Sequence, residues 1–186
     1  MVEAKNGLPA RLQPLHNVTF EFHGFRALAM RTSDAGEDGL EFVLAPAVAQ
    51  HVIETLRGAG IGLAGEIARE MARVEACIPA YTPDLEMGLS PAEADLDALL
   101  DIPGGREGRI LAALLLDTAE PVPTGTVVLA GGREVGAVRS SVRSLSLDAS
   151  IALAVIDQQA ALPGTEIEVD QGRASVVAKP FYRRRR

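Results

Sequence analysis

A carboxylate in a glycine-bounded turn and an arginine near the end of a predicted helix are two side chains whose chemistry suits ligand binding. Glu37 lies in the turn 36–39, and an ionised carboxylate can accept two adjacent N–H groups in a charge-assisted pair. Arg73 carries a planar guanidinium, which suits a flat ligand bearing a carboxylate or a ring better than a lysine does. Each has a structural alternative: Glu37 as a solvated turn residue, and Arg73 with Glu75 as members of surface ion pairs that contribute little energy.

Other residues carry weaker signals. Tyr81 is more typical of a packing residue with a satisfied hydroxyl, and Cys77 of a small buried apolar residue. The basic run 183–186, which begins with Arg183, suits contact with a phosphate or a polyanionic ligand tail, or else a frayed, solvated end. The three histidines lack metal-ligand spacing, and the serines between 140 and 146 have no histidine nearby. We therefore predict neither a metal site nor a serine nucleophile.

The composition predicts a globular protein with an ample core. Apolar residues make up 47% of the 186 residues, and the net charge of −7 argues against a general nucleic-acid binder. No apolar run approaches the ~20 residues that a membrane span needs. The N-terminus lacks the apolar segment of a signal peptide, and a single cysteine excludes an intramolecular disulfide. These features favour a cytoplasmic protein that binds neither nucleic acid nor membranes.

The elements that must position these residues fall into two domains. We predict an arm or linker over residues 1–17, an α+β domain over 18–104, a small β-sandwich or barrel over 105–182 and a basic tail over 183–186. In the α+β domain we expect a hairpin, a strand and three helices, over 19–30, 40–44, 46–58, 63–75 and 93–100. In the β domain we expect six strands, over 109–117, 126–129, 134–139, 150–156, 166–169 and 174–178.

Four segments follow one another in an order typical of a known family. They are 31–42 (Arg-Thr-Ser-Asp-Ala-Gly-Glu-Asp-Gly-Leu-Glu-Phe), 72–81 (Ala-Arg-Val-Glu-Ala-Cys-Ile-Pro-Ala-Tyr), 90–96 (Ser-Pro-Ala-Glu-Ala-Asp-Leu) and the C-terminal stretch 131–182. The first resembles Arg-Thr-Gly-Tyr-Thr-Gly-Glu-Asp-Gly of the glycine-cleavage T-protein (aminomethyltransferase) family and its YgfZ-like relatives. The second resembles their Leu-Arg-Leu-Glu-Ala-Gly followed by Tyr-Gly, and the third their Pro-x-Glu-Ala. The resemblance covers most of the chain.

The resemblance implies an α+β fold, in which a partial T-protein-like folate-binding domain precedes a C-terminal Greek-key β-barrel. It implies tetrahydrofolate as the ligand, and transfer of a one-carbon unit between an amine carrier and tetrahydrofolate. By this likeness Glu37 would accept the adjacent N–H and NH₂ groups of the pterin, and Arg73 would support the ligand. Tyr81 and Arg183 are the further ligand contacts that it suggests.

Three departures from the family pattern bear on activity. The usual family chain is longer, and its additional N-terminal part carries an aspartate that acts on the amine; no counterpart precedes His23, so we assign no catalytic residue. Asp34 and Ala35 replace Tyr-Thr in the turn, which removes an aromatic wall and adds negative charge beside Glu37. Residues 102–107 lack the lysine and the cysteine of the YgfZ-like loop, which disfavours a cysteine-dependent role.

We accordingly expect a folate-binding protein that is not catalytically complete alone. Its α+β part should expose a sheet edge and an apolar face, which predicts a homo-oligomer or a separate partner chain. Two alternatives are a non-catalytic scaffold or regulatory remnant whose barrel binds other proteins, and a subunit of a split folate-dependent demethylase.

Overall fold

The computed structural model describes residues 12–22, 24–32, 35–85, 89–96, 108–170 and 172–182. It divides into two compact units, Met1–Ala68 and Arg69–Arg186. Most of the predicted N-terminal arm, the predicted domain boundary at 104/105 and the predicted basic tail lie outside the described residues, so these remain predictions.

The first unit contains a three-stranded antiparallel sheet in the order β1-β2-β3. Its strands are β1 (Asn17–Phe22), β2 (Phe25–Met30) and β3 (Glu41–Val43), and β1 and β2 form the hairpin expected from the sequence. Because strand side chains alternate between faces, Phe20 and Phe42 share the face of β2 that buries Ala27 and Ala29. The two phenylalanine rings pack edge to face, with centroids 6.3 Å apart.

Helix α1 (Pro46–Gly58) covers this face of the sheet. Pro46 stands at its start, where the fixed φ of proline suits a helix and no N–H is lost from the ladder. Val48 and Val52 are buried against Ala27, and Leu56 packs beside them. The four-residue spacing of these three side chains gives α1 the apolar stripe that the sequence predicts.

The second unit contains a closed six-stranded antiparallel barrel. Its strands are β4 (Arg109–Leu116), β5 (Val127–Ala130), β6 (Arg133–Ser144), β7 (Ala149–Asp157), β8 (Glu166–Val169) and β9 (Gly172–Val177). They pair around the ring in the order β4-β7-β6-β5-β8-β9, so β5, β6 and β7 are consecutive neighbours and β4 returns beside β7. This is Greek-key connectivity, and it confirms the predicted α+β chain with a C-terminal Greek-key barrel.

Strand β7 is buried on both of its faces. Ala152, Ala154 and Ile156 point into the barrel core. The alternate residues, Ile151, Leu153 and Val155, form a second cluster on the outside of the barrel with Leu111 and Val74. Burial on both faces explains why β7 is a continuous apolar run rather than an alternating one.

Val74 belongs to helix α2 (Glu66–Glu75), whose burial differs from the prediction. The helical spacing of Ile67, Met71 and Val74 predicts that these three form its buried stripe and that Arg73 lies off it. Ile67 is instead 82% exposed, whereas Arg73 and Glu75 are buried together with Val74. The apolar periodicity was misleading because polar partners in the second unit satisfy both charged side chains.

Two further local predictions were wrong. Residues 91–95 form a turn rather than a helix, and residues 97–100 of that predicted helix lie outside the described part of the chain. The serine-rich stretch 140–144 belongs to strand β6 rather than to a turn, because it pairs with β7 along that length.

Candidate functional site

The turn that carries Glu37 is held by contacts to its neighbour in sequence. The guanidinium of Arg31 lies 3.0 Å from the Asp38 carboxylate and donates a 2.5 Å hydrogen bond to the carbonyl of Leu12. A Cβ at Gly39 would lie 3.0 Å from the carbonyl of Thr32, so glycine permits this close approach of the two ends of the loop. Asp38 and Glu37 are both exposed in this turn, and Asp38 forms the ion pair with Arg31. The preceding residues 33 and 34 lie outside the described part of the chain.

Arg73 lies at the centre of a buried polar network in the second unit. Its side chain is 3% exposed, and all five of its N–H groups have acceptors. Nε and one Nη2 hydrogen engage both carboxylate oxygens of Glu70. Nη1 donates to the carbonyl of Ile78 (2.6 Å) and to Asp84 Oδ2 (2.6 Å), and Nη2 donates to Ser140 Oγ (2.8 Å).

The environment of Arg73 fixes its charge. Burial by itself lowers the pKa of Arg73, but the hydrogen bonds and charges of Glu70 and Asp84 raise that pKa above its ordinary value overall. Arg73 is therefore a permanent cation that contacts protein groups through every donor. The structure places it beneath the surface, where it orders the residues around it.

Asp84 is the acidic counterpart of Arg73 and is completely buried. Its Oδ2 accepts the Arg73 bond and a 2.8 Å bond from the Ala80 N–H, and its Oδ1 accepts a 2.6 Å bond from the Ser140 hydroxyl. A buried ion pair is tolerated only when its remaining hydrogen-bonding capacity is satisfied. This network meets that condition, and it joins helix α2, the loop 78–85 and barrel strand β6.

A second contact fixes the last turn of α2 to the same strand. The Glu75 carboxylate is 7% exposed and accepts hydrogen bonds from Ser144 Oγ (2.5 Å) and Ser146 Oγ (3.2 Å). Sequence reasoning missed Asp84, Ser140 and these partners, because it evaluated the serines as nucleophiles. The available signal was the polar pair at 73 and 75 on an otherwise apolar helix end.

The backbone at the end of α2 places Cys77 in an unusual conformation. The Ile78 N–H donates to the Arg73 carbonyl (3.0 Å) and the Cys77 N–H to the Val74 carbonyl (2.9 Å), the hydrogen bonds of a Schellman motif. Cys77 accordingly has a φ of 58°, a conformation that favours glycine. Burial raises the pKa of the Cys77 thiol to about 11, and this half-buried cysteine packs against the outer cluster of β7.

The other predicted ligand contacts have different positions. Tyr81 lies in the turn 81–84 and is 85% exposed, so its ring is not a packing residue. Arg183 lies outside the described residues. Glu37 belongs to the first unit, whereas Arg73 and Tyr81 belong to the second. The network brings together Arg73 and the loop of Tyr81; a common cavity with Glu37 remains a prediction.

The described residues also form a groove on the barrel, but no cluster of metal-binding side chains and no helix that could span a membrane. An open groove on the outside of the barrel is lined by Leu115, Glu166 and Arg173 among others, and none of the predicted site residues lines it. Within the described ranges, no group of three or more His, Cys, Asp or Glu side chains is arranged to hold a metal ion. No helix in those ranges is long and apolar enough to cross a membrane.

Comparisons with known proteins bear on the origin of this arrangement. The model of the GCVT N-terminal domain matches residues 9–103, and that of the glycine cleavage T-protein C-terminal barrel domain matches residues 109–183. The aminomethyltransferase of Saccharopolyspora erythraea is 38% identical over 188 residues, which cover 88% of this chain and 51% of the relative. That of Moorella thermoacetica is 33% identical over 184 residues, covering 87% of this chain and 50% of the relative.

A solved structure agrees at the level of the fold. The glycine cleavage system aminomethyltransferase T of Bartonella henselae superposes with a TM-score of 0.76 at 22% identity, over 93% of this chain and 54% of that one. The chain thus spans about half the length of the curated relatives it matches. The two domain models, which match successive parts of the chain, identify it as a member of the glycine cleavage T-protein family.

Proposed function

We propose that this chain binds tetrahydrofolate as part of an aminomethyltransferase that transfers a one-carbon unit from an amine carrier. The observation that carries the proposal is the turn at Glu37. Arg31 forms an ion pair with the neighbouring Asp38, and the Glu37 side chain is exposed in the turn. A carboxylate in such a turn can accept the two adjacent N–H donors of a pterin edge.

The second unit contributes through the loop 78–85. Tyr81 offers an exposed aromatic ring that can pack on the flat rings of the ligand. Arg73 supports the ligand indirectly, because its five donors are all engaged by protein acceptors, two of them in that loop. Arg183 is the proposed cation for the carboxylate-bearing tail of the ligand.

The one-carbon transfer itself needs groups that we do not assign to this sequence. No residue of the chain is given the role of the acid or base that acts on the amine. In the proposed function a segment outside this sequence, on the same or on another polypeptide, supplies that group. The present chain then binds tetrahydrofolate without turning it over alone.

The proposal extends to partners. On the sheet face opposite α1, Leu28, Met30 and Val43 form an apolar patch, and Val43 is 55% exposed. We propose that a second copy of the chain or a separate partner chain covers this patch. Sedimentation velocity at micromolar concentration tests the second copy: we expect a dimer that Val43→Asp dissociates. A clean monomer would count against self-association.

The test of folate binding is calorimetric titration with tetrahydrofolate. Each hydrogen bond to a charged group contributes about 1.5–3 kcal/mol, so we expect Glu37→Ala to weaken binding by at least about tenfold. Undetectable binding to the wild-type chain at millimolar ligand, with any purified partner present, would refute the proposal. The comparisons favour neither the scaffold alternative nor the split demethylase.

A further inference from the structure

Ser140 is a barrel residue that reaches into the network around Arg73. It lies in strand β6 and is 4% exposed. Its hydroxyl donates to Asp84 Oδ1 at 2.6 Å and accepts from Arg73 Nη2 at 2.8 Å. A single hydroxyl therefore contacts both members of a buried ion pair, which lie 67 and 56 residues away along the chain.

The same ion pair closes the loop that carries Tyr81. Asp84 Oδ2 accepts the Ala80 N–H at 2.8 Å, and the Leu85 N–H donates to the Ala80 carbonyl at 3.2 Å. Arg73 Nη1 holds the carbonyl of Ile78 at the start of the loop. Both ends of the loop are thus fixed, while the Tyr81 ring between them is 85% exposed.

We infer that Asp84 and Ser140 are positioning residues that hold Tyr81 in its ligand-binding conformation from the barrel side. The inference rests on the proposed function, because it takes tetrahydrofolate as the ligand that Tyr81 contacts. A loop ordered before binding loses less conformational entropy when the ligand arrives, so pre-ordering increases affinity. The barrel then acts in ligand binding through Ser140.

Ser140→Ala removes the hydroxyl and leaves an Asp84 lone pair and an Arg73 N–H buried without partners. Its matched control is Ser141→Ala, in the same strand. Ser141 Oγ also makes two hydrogen bonds, to the Ile151 carbonyl (3.1 Å) and from the Val122 N–H (3.2 Å), but none to the network.

The first measurement is hydrogen–deuterium exchange of the amides in the loop 78–85. We expect them to exchange about tenfold faster in Ser140→Ala than in Ser141→Ala, as a loss of roughly 1.4 kcal/mol implies. The amides of β7 report whether the barrel itself has opened. Should Ser140→Ala fail to fold, Asp84→Asn disrupts the network from the loop side and replaces it. Equal exchange rates of the loop amides in Ser140→Ala, or in Asp84→Asn where it replaces that variant, and in the Ser141→Ala control overturn the inference.

The second measurement is tetrahydrofolate affinity in a double-mutant cycle. If Ser140 acts through Tyr81, Ser140→Ala weakens binding about tenfold in the wild type and has no further effect in Tyr81→Ala. A merely structural role would weaken binding in both backgrounds, and that result overturns the inference. A wild-type chain that binds no tetrahydrofolate refutes the proposed function and the positioning role together. In that case, exchange of the loop amides still shows whether Ser140 holds the loop 78–85.

Discussion

Replacing Gly136 by alanine should damage the barrel far more than the removal of an ordinary glycine. Gly136 lies in β6 opposite Ile156, and its φ is 153°. An added Cβ would lie 2.0 Å from the Val155 carbonyl oxygen and 2.8 Å from the Ile156 Cα. Both are backbone atoms of β7, which is buried on its two faces and cannot rotate away.

The magnitude follows from two costs. An L-residue held in a sparsely populated positive-φ conformation costs about 1–3 kcal/mol. Forcing strands apart in a packed core costs a further 1–3 kcal/mol or so. We therefore expect Gly136→Ala to lower the free energy of unfolding by about 3 kcal/mol, a large part of the roughly 5–15 kcal/mol that stabilises a typical domain.

Urea denaturation followed by circular dichroism measures this loss. The control is Gly132→Ala, because Gly132 has a φ of 76° but nothing within 4 Å of an added Cβ. In this control only the positive φ lowers the free energy of unfolding, by about 1 kcal/mol. Equal urea midpoints for Gly136→Ala and Gly132→Ala would show that β6 and β7 do not approach as closely as described, and would contradict the predicted clash.

Three further predictions concern the residues around α2 and the turn 91–95. Cys77→Gly should be more stable to urea than Cys77→Ala by about 1 kcal/mol, because both lose the thiol but glycine also relieves the positive φ; equal midpoints would contradict the Schellman geometry. The Cys77 thiol, with a pKa of about 11, should react with a thiol reagent at pH 8 at least about tenfold more slowly than the same thiol in urea-unfolded chain, and equal rates would contradict its burial. The hydrogen bond from the Ser90 N–H is the main cause that lowers the pKa of Glu93 below its ordinary 4.5. The ionised Glu93 carboxylate therefore stabilises the fold above pH 4.5, and this stabilisation is lost as the pH falls through the lowered pKa. Glu93→Gln should therefore be less stable than the wild type at pH 7 and lose less stability between pH 7 and pH 3; parallel losses in the two proteins would argue against it.

The strands of the barrel could be predicted from the sequence, but their order around the barrel could not. Each barrel strand is a short apolar run between turn residues, and the pattern locates all six, although β6 continues through 140–144 beyond its predicted end. Their order around the ring depends on pairings such as Leu114 with Ala152 and Leu114 with Val176, between residues that periodicity does not relate. The Greek-key expectation came from the family resemblance.

The buried network was beyond sequence reasoning for a different reason. Helical periodicity assumes that charged residues face water, so the sequence predicts Arg73 off the buried stripe and allows Arg73 and Glu75 as surface ion-pair residues. Their burial depends on Asp84, Ser140 and Ser144, which only the tertiary fold brings to the end of α2. Serine also favours turns locally, and this preference concealed the half of β6 that supplies the partners.

The exposed position of Glu37 was the easiest part of the site to anticipate. A carboxylate between glycines in a polar turn is expected at the surface, and it is found there. What the sequence did not indicate is the role of its neighbour, because the ion pair of Arg31 with Asp38 spans the turn. That ion pair connects the turn 36–39 to the residue that follows β2.

The most direct test of the account is the affinity of tetrahydrofolate for Glu37→Gln compared with Glu21→Gln. Both variants remove one exposed carboxylate of the first unit, and Glu21 lies in β1 away from the turn. The account predicts at least about tenfold weaker binding for Glu37→Gln, because a neutral amide cannot accept both pterin donors with the strength of a carboxylate, and no change for Glu21→Gln. Equal affinities of the two variants would contradict the claim that Glu37 holds the ligand.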